Sequence, residues 1–409
     1  MNKLERIIHQ SLEGKPALRN TLKKIYQASL SIVPTTNINE ENVVVRPNCF
    51  YGFHNLCPWS KDNKYLLTHR FQTPDDRLPE KGQKIEVGVF FGENHQSYRK
   101  ITETNVWNWQ QGAMLQWLGG GHRLILNDWK EGRHCARVLD VSGEGVGEFA
   151  TPVSAAAPDG SSFVSFCFDS LSEGLHGYGY AYRATPGRRK NLGDRLLHID
   201  CATGEIDTLV TIGDVLKLSP RKLPAEAFHF FSHCLYSPSG KFLMFFHRWK
   251  SNTSDLGTQV VIYDFEAGRA HVLPLGEFVS HASWHTDRYA FLYAENTEGV
   301  RGYFLVDCLL DNARPMAFEG LGCDGHPQVL AQSPRAVTDT YPDRFRMQKL
   351  YVMDLERSAC ELLLSLKIPF RFRDAVRCDF HPRWDRSGQY ISFDSAHTGV
   401  RSHCTIRVQ

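Results

Sequence analysis

One short pattern recurs seven times along the 409 residues, and it constrains the fold more than any other feature. A turn built on Ser, Asp or Gly is followed by a short apolar or alternating strand. It appears as Trp59-Ser60-Lys61-Asp62-Asn63 before Tyr65-Leu66-Leu67, and as Leu118-Gly119-Gly120-Gly121 before Leu124-Ile125-Leu126. It appears again as Ala157-Pro158-Asp159-Gly160 before Phe163-Val164-Ser165-Phe166, and as Ser237-Pro238-Ser239-Gly240 before Phe242-Leu243-Met244-Phe245-Phe246. His285-Thr286-Asp287, Gln332-Ser333 and Asp385-Arg386-Ser387-Gly388 introduce the remaining copies. The mean spacing is roughly 54 residues, near the length of a four-stranded propeller blade and well above that of helical or leucine-rich solenoid units.

A second signal falls between these turns. Val138-Leu139-Asp140, His198-Ile199-Asp200, Ile262-Tyr263-Asp264, Leu305-Val306-Asp307 and Val352-Met353-Asp354 each end a strand with Asp, and Gly143, Gly204 and Gly268 follow three of them. A closing Asp and a Gly able to adopt positive φ suit a tight hairpin between outer strands. The pattern predicts an all-β fold, a seven-bladed β-propeller over residues 34–409, preceded by a helical extension over residues 1–33. A pair of β-sandwiches is the competing architecture, but sandwiches do not repeat at this period.

The first thirty residues lack the unbroken apolar stretch of a secretory signal. Leu4, Ile7, Ile8 and Leu12 recur at helical spacing, as do Leu18, Leu22, Ile25 and Ile32, with Gly14-Lys15-Pro16 between the two sets. The expectation is a helical hairpin packed on the main body. The sharper alternative is a basic amphipathic surface, carrying Lys3, Arg6, Lys15, Arg19, Lys23 and Lys24, for peripheral contact with an anionic membrane or a partner. No apolar run reaches the length of a membrane span. A net charge of +2 argues against nucleic acid as a partner. Eleven cysteines, with no CxxC pair and no export signal, predict reduced thiols and a cytoplasmic location.

In a propeller the first strand of each blade lines a central channel, so residues at one repeat phase meet around one axis. His233, His281, His326 and His381 each stand three residues before Tyr236, Trp284, Val329 and Trp384. Four consecutive blades thus place a histidine at one phase, although only 18 of 409 residues are His. Clustered imidazoles ligate divalent metals and move protons near neutral pH. The plainer reading is a repeated strand-start hydrogen bond, which one histidine would favour and four in register disfavour. Other polar strings flank the same strands: His247-Arg248-Trp249, Thr338-Asp339-Thr340-Tyr341-Pro342-Asp343, Arg383, and Gly177-Tyr178-Gly179-Tyr180 with Arg188, Arg189 and Arg195 in an insertion after blade 3. Trp107-Asn108-Trp109-Gln110-Gln111 offers indoles and amides of the kind that bind sugar faces.

From about residue 48 onward the chain resembles seven-bladed propeller proteins that include oligogalacturonate lyases, ulvan lyases and their relatives encoded with polysaccharide-assembly enzymes. The resemblance rests on Trp107-Asn108-Trp109-Gln110-Gln111, Gly177-Tyr178-Gly179-Tyr180, His233 with Ser237-Pro238-Ser239-Gly240, Phe246-His247-Arg248-Trp249, Gly325-His326-Pro327, Thr338-Asp339-Thr340-Tyr341-Pro342-Asp343 and Cys378-Asp379-Phe380-His381-Pro382-Arg383-Trp384. Such lyases cleave beside a uronic acid by β-elimination. The resemblance implies His233 as the base, Tyr180 as the supporting proton carrier, and His281, His326 and His381 as ligands of Mn²⁺ or Zn²⁺. Arg248, Arg383, Gln110, Gln111, Tyr341 and His247 then contact an anionic oligosaccharide or polysaccharide. No nucleotide cofactor is expected. Two departures stand out: there is no Gln-x-x-His-x-His run, and Gln110 and Gln111 occupy the region where the ulvan branch has a His. The alternatives to a lyase are a uronosyl C5-epimerase, which shares the proton abstraction, and a non-catalytic glycan-binding or scaffold propeller.

Overall fold

The computed structural model describes residues 16–183, 192–224, 226–251, 256–310 and 312–408. Seven four-stranded antiparallel sheets, arranged as blades 1 to 7, account for all the strands of these residues. Within each blade burial falls from the axis outward, as the sequence dictates. The second strand of blade 1, Leu66–Arg70, is buried at four of five positions, whereas the fourth strand of blade 2, Gly145–Phe149, has no buried residue. The continuous apolar runs after each turn are therefore strands covered on both faces by neighbouring blades.

Closure is made by the N-terminal strand Val43–Pro47, which pairs antiparallel with Ser402–Arg407 and supplies the outer strand of blade 7. Joining the ends of the chain in one sheet removes the open edges of a linear array. Adjacent blades are also fastened by indoles at the ends of first strands. Trp117 Nε1 donates to Pro58 O at 2.8 Å, and Trp284 Nε1 donates to Leu235 O at 3.0 Å.

The two local signals have direct structural meaning. Ser237 Oγ accepts from the Phe242 N–H at 3.2 Å while Gly240 sits at φ 82°, so this turn delivers the chain straight into the second strand. Asp140, Asp200, Asp264, Asp307 and Asp354 each end a third strand, and each carboxylate accepts from an N–H two residues on, at 2.7–3.1 Å. These are Asx turns into the fourth strand.

The helix Pro16–Ser31 begins at the proline, which suits a first helical turn. The helix expected around Leu4, Ile7, Ile8 and Leu12 lies outside the described residues. Two further helices are short, Phe168–Gly174 and Ile212–Leu218. The insertion carrying Tyr178 and Tyr180 lies inside blade 3, between its second strand Ser162–Ser165 and its third strand Arg195–Asp200, rather than after that blade. Arg188 and Arg189 fall outside the described residues, and Arg195 opens the third strand. No described helix is long and apolar enough to cross a membrane.

Candidate active site

His233, His281, His326 and His381 converge on the channel axis, and all four are buried. Ring centroids are 6.2 Å apart for His233 and His281, 4.1 Å for His281 and His326, and 4.3 Å for His326 and His381. His233 and His381 hold left-handed backbone, φ 54° and 45°, as does Met114, φ 52°, three residues before Trp117 in blade 2. A non-glycine residue there is strained, and the surrounding sheet must hold it. In blade 4 the strain coincides with a break in register between Ser232 and Leu235, which turns His233 out of the ladder.

A fifth imidazole joins them. His54, in the first blade, lies 5.3 Å from His281, 5.6 Å from His326 and 6.3 Å from His381 between ring centroids, and its Nδ1 bonds Pro327 O at 3.0 Å. It stands five residues before Trp59 instead of three, so phase alignment passes over it. Phe53 closes the cluster from the same side, 4.8 Å from the His233 ring and 5.7 Å from His381.

Carboxylates complete the centre. One ligand atom each from His326, Asp379 and His381 lies within 4.8 Å of the others, and all three residues are buried. His326 Nε2, His381 Nε2 and Asp379 Oδ1 have no hydrogen-bond partner among the described residues. Three buried lone pairs or N–H groups left unsatisfied in one place are costly unless a ligand fills the gap. Two imidazoles and a carboxylate suit a borderline divalent cation such as Mn²⁺ or Zn²⁺. The residues fit a metal, although the trio differs from the expected one. Asp379 takes a place assigned to His281, whose Nδ1 instead faces Ser280 Oγ at 2.9 Å and Asp324 at 3.7 Å.

Burial holds His233 and His381 well below the ordinary histidine range, helped for His233 by Arg248 and for His381 by His326. Burial with the neighbouring His326 pushes His281 down to about 4. These imidazoles are neutral at physiological pH, the form needed by a ligand or a base. His326 is raised instead: burial opposes its charge, but the charge and hydrogen bond of Asp339 outweigh it.

The remaining predicted site residues divide into two groups. Arg248 and Tyr341 face the cluster. Arg248 lies 5.3 Å over Phe246, whose ring stacks on His233 at 4.9 Å, and it donates to Ser280 O at 3.3 Å. The ring of Tyr341 is 5.4 Å from His326, and its 36% exposure puts it at the mouth. Tyr180 does not join them. Its Oη accepts from Asn127 Nδ2 at 2.8 Å and its ring stacks on Phe168 at 5.0 Å, in the packing between blades 2 and 3. Gly177 and Gly179, at φ 89° and 69°, swing the loop so that Tyr178 faces the cluster instead. Its ring is 6.4 Å from His233, and its Oη accepts from Arg377 Nη2 at 3.2 Å.

Arg383 is fully enclosed, with Nη2 donating to Asp394 Oδ2 at 2.9 Å and Gly52 O at 2.8 Å, so its charge is consumed by an internal pair. His247 is also removed from the centre. It bonds His229 Nδ1 and Gln259 Nε2, each at 3.0 Å, within blade 4. Gln110 and Gln111 are buried in a turn whose N–H groups both reach Asn108 Oδ1 at 2.9 Å, and Gln110 Nε2 donates to Arg377 O at 3.1 Å. Gln110 thereby supports the Arg377 loop. Arg377 itself, absent from the sequence-derived set, links Tyr178 to Asp379, with its Nε 2.5 Å from Asp379 Oδ2.

Comparison with solved structures bears on the fold. The chain is similar to an oligogalacturonate lyase in complex with manganese, with a TM-score of 0.62, 14% identity, and coverage of 88% of this chain and 90% of that one. It is likewise similar to the oligogalacturonate lyase of Vibrio parahaemolyticus, with a TM-score of 0.60, 12% identity, and coverage of 89% and 91%. The fold is theirs. Propellers of other functions, such as TolB of Acinetobacter baumannii, align at a TM-score of 0.40 with 13% identity over 85% of this chain and 80% of that one. No family model and no curated protein sequence matches the chain.

Proposed function

We propose that the chain is a uronate-directed lyase, cleaving an anionic oligosaccharide or polysaccharide by β-elimination with a divalent metal of the Mn²⁺ class held by His326, Asp379 and His381. The observation that carries the reading is the set of unpartnered buried atoms on those three residues, set beside a neutral imidazole and a guanidinium. When bound, such an ion neutralises the uronate carboxylate and so acidifies the neighbouring C5–H. A likeness to a manganese-bound oligogalacturonate lyase supports the choice of metal and sugar class.

His233 takes the C5 proton in this reading. Its Nδ1 is engaged with Ser232 Oγ at 2.9 Å, which leaves Nε2 for the substrate. A donating Nδ1–H makes Nε2 the basic nitrogen. Arg248 offers a fixed positive charge to the carboxylate, a contact that strengthens as negative charge develops on the enolate. The departing 4-oxygen needs a proton, and Tyr178 is the phenol of the Gly177–Tyr180 loop that borders the cluster. A reducing compartment such as the cytoplasm suits eleven cysteines that form no disulfide.

The test is incubation of the Mn²⁺-loaded protein with oligogalacturonates and other uronate oligomers. Elimination leaves a C=C conjugated to the carboxylate, read as a rise in ultraviolet absorbance that does not occur with His233→Ala. Deuterium uptake from solvent without cleavage would reassign the chain as a C5-epimerase. Binding with neither reaction would make it a scaffold.

A further inference from the structure

The helix Pro16–Ser31 is mounted inside out for a helix packed on a protein. Leu18, Leu22 and Ile25 lie at i, i+4 and i+7 on one stripe, continued by Ile32 beyond the helix end. These residues are exposed at 46%, 41%, 58% and 82%. Gln27, Ala28, Leu30 and Ser31 are the part-buried residues of the described helix side chains. The largely polar and small side thus faces the propeller, and the apolar stripe faces outward. An amphipathic helix that only decorated the body would show the opposite arrangement.

Charge indicates what the stripe is for. The helix carries Arg19, Lys23 and Lys24 and no Asp or Glu, a formal charge of +3 in a chain whose total is only +2. An apolar stripe in a basic segment is the composition of a helix that lies in the headgroup region of an anionic bilayer. A second copy of the chain would bring two +3 helices together, and a nucleic acid would leave the stripe wet. We propose that the helix Pro16–Ser31 docks the protein on an anionic lipid surface.

Placement gives the docking a consequence. Lys24 pairs with Asp374 at 3.7 Å, and Asp374 O lies 3.4 Å from Arg377 Nη1, the residue that carries Tyr178 and Asp379 at the cluster. Through Lys24 the helix therefore borders the loop that forms one wall of the site. Docking through this helix holds that loop beside the lipid surface. The docking stands independently of the lyase reading, because lipid binding requires no turnover.

Vesicle co-sedimentation tests it with the full chain. Phosphatidylcholine vesicles containing phosphatidylglycerol should bind the protein at least tenfold more strongly than pure phosphatidylcholine at about 0.1 M salt, and the difference should shrink as salt shortens the Debye length. Leu22→Glu with Ile25→Glu should abolish the binding while leaving the thermal midpoint of the propeller unchanged, since both side chains are exposed. Equal binding to the two vesicle types, no binding to either, or wild-type binding by the double variant would overturn the proposal. So would a dimer in solution that the double variant dissolves, because the stripe would then belong to a second copy.

Discussion

Asp339 and His326 form the most consequential pair in the molecule. Asp339 Oδ1 accepts from both the backbone N–H of His326, at 2.8 Å, and its Nδ1, at 2.7 Å, while Oδ2 accepts from the backbone N–H of His381 at 3.1 Å. One fully buried carboxylate thereby ties together the starts of blades 6 and 7 and sets the tautomer of an imidazole in the candidate metal trio. Such outer partners orient ligands and raise their basicity.

Replacing Asp339 with Asn removes an acceptor that one of these three N–H groups needs, while changing little volume. Mn²⁺ affinity should fall about 10- to 100-fold, as measured by competition with a chelating dye, with the far-ultraviolet dichroism retained. Wild-type affinity in D339N would show that the carboxylate does not organise the centre.

A metal held by the proposed trio should also stabilise the fold, because the unfolded chain has no such site. Adding Mn²⁺ is expected to raise the thermal midpoint of the wild-type protein and to leave that of Asp379→Ala or His381→Ala nearly unchanged. An equal rise in all three proteins would place the ion elsewhere.

His233→Ala should lower kcat by about 10²–10⁴ on a uronate oligosaccharide. The metal-induced rise in midpoint should persist, since His233 is not among the three metal-facing residues. Turnover at the wild-type rate would remove His233 from the mechanism.

Acid should destabilise the protein through its buried neutral imidazoles. Burial pushes His69 down to about 4 and His247 down to about 3, and the His69 ring accepts from the Ala113 N–H at 3.0 Å. Unfolded histidine titrates near 6.5, so below that pH the unfolded chain binds more protons than the folded one. The stability from these groups is complete above pH 6.5 and drains away as pH falls toward their folded values. For His69 alone the loss approaches about 3 kcal/mol near pH 4. Denaturant melts across this range should show a steep decline that is shallower in His69→Gln, and parallel curves would show that His69 does not contribute.

Gly325 sits where a side chain has no room. A Cβ there would lie 1.9 Å from Asp339 O and 2.7 Å from Thr338 Oγ1. Gly325→Ala must push the His326 segment away from Asp339, at a cost of about 2 kcal/mol or more. A thermal melt should show the midpoint falling by several degrees, and an unchanged midpoint would mean that the strand end yields freely.

The number of blades, the turns that begin their second strands, and the common phase of His233, His281, His326 and His381 are all readable along the chain, because each depends on a repeat that local turn chemistry and strand burial enforce. What lies off that repeat is decided in space. His54 is two residues out of phase, and it meets His281 because closure by Val43–Pro47 brings blade 1 round toward blades 5 to 7. Asp379 joins His326 and His381 at the centre two residues before His381, whose left-handed backbone is a conformation that residue type does not announce. Tyr178 and Tyr180 look equivalent in a Gly-Tyr-Gly-Tyr string, yet two positive-φ glycines send one to the cluster and the other into the wall between blades. Arg383 and His247 carry the chemistry expected of substrate contacts, but Asp394 and His229 take up that chemistry inside the core. Periodicity determines which residues share a radius. Only the ring closure and the backbone turns within it determine which of them share a ligand.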